Sequence, residues 1–139
     1  MVTRGFFIGR FQPFHFGHLS VVRYALEHDD ELIVAIGSTD KSFTTKDPFT
    51  ASERFEMILA ALAPYRDRVI VTIAPSNPLV QALFERDGYN VISLKPIESR
   101  GSGTQIRQLM IERNDAWKNL VPRNVVEYIC DNNLEERVK

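Results

Sequence analysis

Apolar and polar positions fall along the chain in blocks that read strand, helix, strand, helix. Phe6-Phe7-Ile8 is a short apolar run ending at Gly9. From about His18 to Glu27, Leu19, Val22 and Leu26 recur at helical spacing, which predicts a helix with one buried face. Leu32-Ile33-Val34-Ala35-Ile36 is an unbroken β-rich run stopped by Gly37, as expected of a strand buried on both faces. Thr50-Ala51-Ser52-Glu53 has capping-box spacing, in which hydroxyl and carboxylate satisfy the first free N–H groups of a helix. That helix carries Phe55, Ile58, Leu59 and Leu62, and Pro64 ends it. Val69-Ile70-Val71-Thr72-Ile73 reads as a third strand. Ser76-Asn77-Pro78 opens a helix with Leu79, Val80, Leu83 and Phe84 on its apolar stripe, and Gly88 closes it. Tyr89-Asn90-Val91-Ile92-Ser93-Leu94 is a fourth strand. Ser102-Gly103-Thr104 leads into a helix bearing Ile106, Leu109 and Met110. A last helix begins near Pro122 with Val125, Val126 and Ile129 facing inward.

Strands of the buried type alternating with helices imply an α/β fold, a doubly wound parallel sheet with helices on both faces. We expect one domain over residues 1–139. In such sheets ligands bind beyond the carboxyl ends of the strands, which directs attention to the loop after the first strand. Composition supports this picture: 44% hydrophobic and 25% charged residues are ordinary globular values. Seventeen Lys+Arg against 18 Asp+Glu give a formal charge of -1, so no basic excess favours nucleic acid or an anionic membrane. The longest apolar run, Met57 to Ala63, is too short to span a bilayer, and Met1-Val2-Thr3-Arg4-Gly5 carries no signal-peptide pattern. Cys130 is the single cysteine, which leaves no internal disulfide or cysteine-rich metal site. The expectation is a cytoplasmic protein without a nucleic-acid or membrane partner.

The loop after the first strand reads Gly9-Arg10-Phe11-Gln12-Pro13-Phe14-His15-Phe16-Gly17-His18. His15 and His18 fall on one side of a helix's first turn, where free N–H groups and the positive dipole end favour an anion. Gly9 and Gly17 allow close backbone approach, Pro13 stiffens the turn, and Arg10 adds a forked donor for phosphate oxygens. Either histidine alone could be a capping or packing residue, and two histidines can also bind zinc. The pair directly after a buried strand, with no cysteine or acidic third ligand nearby, favours phosphate chemistry. Ser102-Gly103-Thr104-Gln105-Ile106-Arg107 makes a second anion cradle, with Arg107 about one turn inside its helix. Both loops should emerge on one sheet edge and grip opposite sides of a polyphosphate. The hydroxyl-rich segment 38–50, with Lys41 and Lys46, reads as a mobile lid over the substrate phosphates or else as an ordinary surface loop, and Arg54 could face the site or solvent.

The run from Gly9 to His18 resembles the HxGH signature of the nucleotidyltransferase superfamily, and its longer form resembles the archaeal-type nicotinamide-nucleotide adenylyltransferases. Asp47-Pro48-Phe49-Thr50-Ala51-Ser52-Glu53-Arg54, Ser76-Asn77-Pro78-Leu79-Val80, Ser102 to Arg107 and the Trp117 to Val126 stretch are similar to further blocks of that family, in the same order. The resemblance implies a Rossmann-like fold of the nucleotidyltransferase α/β phosphodiesterase type. It implies transfer of AMP from ATP to nicotinamide mononucleotide (NMN), giving NAD and pyrophosphate, with Mg2+ carried by the ATP phosphates rather than by protein side chains. His15, His18, Arg10, Lys46 and Arg107 would be the catalytic groups. Gly9, Arg10, Phe11, His15, His18, Asn77, Ser102, Gly103, Thr104 and Arg107 would bind ATP, while Gly37, Ser38 and Phe14 would lie toward NMN. A homo-oligomer is also implied. On this reading His18→Ala lowers turnover with little loss of stability, and Lys46→Ala weakens triphosphate handling.

The sequence departs from the family at one place. After its third strand the family carries a further helix and strand, including a tryptophan that stacks on nicotinamide. Here Ile73-Ala74-Pro75 runs directly into Ser76-Asn77-Pro78, and the only tryptophan is Trp117. A parallel crossover needs a dozen or more residues, so no such unit fits in that joint. Val69–Ile73 could then be either of the strands that flank the gap. Losing the unit would remove a strand from beside the first one or move the preceding helix to the other face. Either the chain is shortened or the sequence lacks a segment, and the intact blocks on both sides favour the second. Acceptor choice depends on that region. Two other readings therefore stand: a nucleotidyltransferase using another phosphorylated acceptor, such as phosphopantetheine, or using CTP, and a catalytically silent nucleotide-binding module.

Overall fold

The computed structural model describes residues 2–73 and 103–138, together with the backbone of residues 90–92. Strand β1 (Arg4–Gly9) leads through a loop to helix α1 (Phe16–His28), followed by β2 (Glu31–Ile36). Helix α2 (Ala51–Ala61) runs into a 3-10 turn (Ala63–Tyr65) and then β3 (Val69–Ile73). Strand β4 (Asn90–Ile92), α3 (Gly103–Ile111), a 3-10 turn (Asp115–Asn119), α4 (Arg123–Asp131) and a last 3-10 turn (Leu134–Arg137) complete the described elements. The expected helix from Ser76 to Gly88, and with it Asn77, lies outside the described residues, as does Ser102.

All strand pairings are parallel and the order is β3-β2-β1-β4. The chain steps from β1 to β2 to β3 in one direction, whereas β4 lies on the opposite side of β1. That reversal makes the sheet doubly wound, and a ligand crevice forms at such a switch point. β1 is flanked by both β2 and β4, so its neighbouring place is filled, and β3 stands beyond β2. Register sets the two faces. Phe7, Val34 and Val71 align across the sheet on one face, and Phe6, Ile33 and Ile70 on the other.

The first face carries the main core. Phe7, Leu32, Val34 and Ile36 pack with Val22 and Ala25 of α1, Met57 and Ile58 of α2, Ile106 of α3, and Val125 and Ile129 of α4. Burying each large aliphatic or aromatic side chain contributes roughly 1.5–3 kcal/mol relative to exposure. On the second face Phe6 is fully buried but Ile70 is 50% exposed, so β3 is less covered than its apolar sequence implies. A run such as Val69–Ile73 cannot by itself distinguish a central strand from one beyond it.

Helix ends show where local chemistry overrides periodicity. The capping box at Thr50 forms as expected: its hydroxyl accepts from Glu53 N–H at 3.1 Å, and Glu53 accepts from Thr50 N–H at 2.8 Å. Helix α1 starts at Phe16, earlier than its apolar stripe suggests, because His15 acts as the N-cap.

Candidate active site

Strands β1 and β2 end level, with Gly9 paired to Ile36, and Gly37 N–H donates to the Gly9 carbonyl at 2.8 Å. The loops that follow are therefore held side by side at one sheet edge. Gly9 allows a close approach: a Cβ there would sit 3.0 Å from the Phe11 ring, which would have to give way. Phe11, at φ 54, and Phe14 are buried and surround His18, their ring centroids lying 4.7 and 5.3 Å from its imidazole.

The two histidines form a reciprocal cap at the start of α1. His15 Nδ1 accepts from Gly17 N–H at 3.0 Å, and His18 Nδ1 accepts from His15 N–H at 3.0 Å. A nitrogen that accepts a backbone proton carries none of its own, so each neutral ring holds its hydrogen on Nε2. The rings stack with centroids 3.7 Å apart. Burial, followed by the charge of Arg107, lowers the His15 pKa to about 4. Burial, then the neighbouring His15, holds His18 well below its ordinary value. At neutral pH both are uncharged rings offering Nε2–H. What they offer a ligand is a hydrogen-bond donor rather than a positive charge.

Positive charge comes from guanidinium groups. Arg107, on the first turns of α3, donates through Nη1 to the Gln12 carbonyl at 2.7 Å and through Nη2 to Thr104 Oγ1 at 3.3 Å. It crosses over Gly103, where a Cβ would approach Nη1 to 2.8 Å, so a side chain at this position would displace the arginine. Arg10 donates through Nε and Nη2 to Asp47 Oδ1 at 3.0 and 2.5 Å, and reaches the Lys46 carbonyl at 3.3 Å. Burial lowers the Arg107 pKa and the charge of Arg10 lowers it further, while Asp47 opposes this. Two like charges facing one cleft are relieved by an anion between them.

These groups share a cleft of about 170 Å³ lined by Arg10, Phe11, Gln12, His15, His18, Gly103, Thr104 and Arg107. The N-termini of α1 and α3 thus open on one space, and their dipoles add to the positive field. A larger cavity of about 440 Å³, lined in part by Met110, Trp117 and Cys130, contains none of these donors. Volume does not identify the site here; the chemistry of the lining does.

Residues 6–85 match the cytidylyltransferase-like family. Curated nicotinamide-nucleotide adenylyltransferases align over most of the chain. The Thermococcus sibiricus protein is 39% identical over 165 positions, covering 98% of this chain and 88% of its own. The Haloarcula marismortui protein is 42% identical over 151 positions, covering 91% and 80%. The chain belongs to the nicotinamide-nucleotide adenylyltransferase family. Among solved structures, a bifunctional NMN adenylyltransferase/ADP ribose pyrophosphatase from Francisella tularensis, complexed with AMP and a Mn ion, superposes with a TM-score of 0.69 at 21% identity. That match covers 99% of this chain and 52% of the other, and it shows the fold. Alignment with the Thermococcus kodakarensis family member takes in all of this chain's 139 residues but runs over 168 positions. About 29 positions of that adenylyltransferase alignment therefore have no counterpart here, the size of one helix–strand unit.

Against this family background, the structure brings His15, His18, Arg10, Arg107, Gly103 and Thr104 into one cleft. Lys46 is exposed, with its carbonyl bound by Arg10. Gly37 spends its N–H on Gly9 and its carbonyl on Arg54, so what it offers a ligand is shape. Phe14, expected to lie toward NMN, has a ring with no exposed surface that packs against Phe11 and His18, so in this structure it supports a histidine.

Segment 38–50, read from sequence as a mobile lid, is a fastened loop. Gln12 bonds the Phe49 backbone twice, accepting its N–H at 2.9 Å and donating to its carbonyl at 3.0 Å. Arg54 faces neither solvent nor cleft. Fully buried, it donates to the carbonyls of Arg10, Gly37, Ser38, Lys41 and Thr50. Sequence reasoning also missed Asp47. The one available signal was its place beside Lys46 in a motif block, which says nothing about a partner 37 positions away.

Proposed function

We propose that the chain transfers the adenylyl group of ATP to nicotinamide mononucleotide, releasing pyrophosphate and forming NAD. The observation that carries the reading is the pair of neutral, Nε2-protonated histidines lining one cleft with the side chains of Arg10 and Arg107. Adenylyl transfer has an anionic nucleophile. A phosphate oxygen of the mononucleotide forms a bond to the α-phosphorus of ATP while the bond to the bridging oxygen of the β-phosphate breaks. Pyrophosphate leaves with that electron pair. No proton must be removed, so positioning and charge neutralisation supply the catalysis.

His15 and His18 donate Nε2–H to phosphate oxygens whose charge grows in the transition state. Arg10, Arg107 and Lys46 neutralise the triphosphate, and Asp47 fixes the direction of the Arg10 fork. Backbone at Gly9, Phe11, Gly103 and Thr104 shapes the nucleotide site, and Ser38 lies toward the mononucleotide. We place Mg2+ on the triphosphate oxygens, where it supplies charge neutralisation. Among the described residues no group of three or more His, Cys, Asp or Glu side chains is assembled to hold a metal. The reading takes the protein to be a cytoplasmic homo-oligomer of one domain per chain, and it places the missing helix–strand unit at the joint between Ile73 and Ser76.

The test is pyrophosphate release with ATP and Mg2+, comparing NMN, phosphopantetheine and no acceptor. Release only with NMN, matched by NAD formation, is the expected result. Release with phosphopantetheine would assign a different acceptor, and none with any acceptor despite ATP binding would assign a silent module.

A further inference from the structure

Arg137 lies in the last 3-10 turn, far along the chain from every motif of the cleft. Its guanidinium touches three groups of the segment after β2. It forms a close ion pair with Glu53, donates to the Pro48 carbonyl at 3.5 Å, and lies over the Phe43 ring, 4.3 Å from its centroid. Phe43 is 66% exposed and has a φ of 58, a left-handed conformation that a bulky side chain rarely adopts. A ring so placed is not there to fill the core. It covers one side of a cation.

The segment held in this way is a closed turn. Phe43 N–H donates to the Pro48 carbonyl at 3.2 Å, Thr44 N–H to the Asp47 carbonyl at 3.2 Å, and Asp47 N–H to Thr44 Oγ1 at 2.8 Å. The turn presents the Asp47 carboxylate and the Lys46 carbonyl, both of which bind Arg10. At its base Glu53 also closes the cap of α2 through Thr50 N–H. One guanidinium therefore joins the ring, the base and a carbonyl of the turn that orients Arg10.

We propose that Arg137 is a positioning residue for the triphosphate site. By clamping the 43–48 turn from the far end of the chain, it sets where Asp47 aims Arg10 and where Lys46 stands. The role assigned to Arg10 and Lys46 rests on the adenylyl-transfer reading; the clamp itself does not.

The experiment compares Arg137→Ala and Phe43→Ala with the unaltered chain by backbone hydrogen exchange without substrate, and by steady-state kinetics with ATP varied. Phe43 is exposed, so its substitution leaves folding intact. Both variants should speed exchange at 43–49 by about tenfold and leave α1 unchanged. Arg137→Ala should raise KM for ATP about fivefold, a larger change than in kcat. In the double variant with Lys46→Ala, the rise in KM should be smaller than the product of the two single effects, because the clamp and the lysine serve one turn. Unchanged exchange at 43–49, equal acceleration throughout the chain, or fully multiplicative effects would each overturn the proposal. Inactivity of the unaltered chain toward ATP and NMN would count instead against the functional reading, since the exchange measurement needs no substrate.

Discussion

A histidine pair at a helix start has two jobs in this cleft, and the structure separates them. Each Nδ1 caps a backbone N–H, while each Nε2–H is, on the proposed reading, the donor to a phosphate oxygen. Replacing His15 by Asn keeps a good capping side chain and removes Nε2–H. His15→Asn should therefore lower turnover by roughly 10²–10³-fold, the usual effect of losing one transition-state donor, with the melting temperature nearly unchanged. His18→Ala behaves differently. The sequence alone suggests little loss of stability, but His18 is buried, stacked on His15 and packed against Phe11 and Phe14. Its loss should cost about 1–3 kcal/mol as well as turnover, because a cap and a packed ring go together. Equal stability of the two variants in urea would contradict this division. The histidine pair was legible because its chemistry is written in neighbouring positions of one motif. Asp47, Gln12 and Arg54 were not, since each acts on backbone or charge brought near only by folding.

Arg54 works at the scale of elements. It binds the loop after β1 through the Arg10 carbonyl, the loop after β2 through Gly37, Ser38 and Lys41, and the start of α2 through Thr50. Five N–H donors meet five carbonyls, so no other side chain satisfies all of them. Arg54→Met would fill similar space yet leave buried carbonyls without donors, each costing about 1–3 kcal/mol. We expect a loss of about 3 kcal/mol or more, read as a lower urea midpoint, and faster hydrogen exchange in segment 37–50. A midpoint within error of the unaltered chain would show that water replaces the clamp. Periodicity reports elements well because burial acts on every turn: the apolar stripe of α1 and the β1 and β2 runs appear where expected, while α2 forms but turns Met57, Ile58 and Ala61 inward and leaves Phe55 and Leu59 half-buried. It is silent on what fastens a loop. Segment 38–50 looked free because hydroxyls and lysines dominate its composition, while its tethers come from Gln12, Arg54 and Arg137 elsewhere in the chain.

For the whole molecule, the buried histidines make stability depend on pH in a predictable direction. His15 ordinarily titrates at 6.5 and here at about 4, lowered first by burial and then by Arg107. Between those values the unfolded chain binds a proton that the folded chain does not, so stability rises with pH. The contribution is complete above about 6.5 and is lost progressively as pH falls toward 4, amounting to about 3 kcal/mol for His15 in full. His18, held low by burial and by His15, acts with the same sign. Glu53 offers a contrast. Its carboxyl is held below 4.5 by hydrogen bonds from Arg137 and Thr50 against the cost of burial. Its contribution is therefore lost only at lower pH, as the carboxyl protonates. The two mechanisms occupy different windows, which allows them to be told apart. Urea midpoints measured from pH 7 to pH 4.5 should fall steadily for the unaltered chain. They should fall less for His15→Asn, and no less for Glu53→Gln until pH drops below about 5. A His15→Asn profile as steep as that of the unaltered chain would mean that the imidazole charges without cost in the cleft. That outcome would remove the basis for treating it as a neutral hydrogen-bond donor.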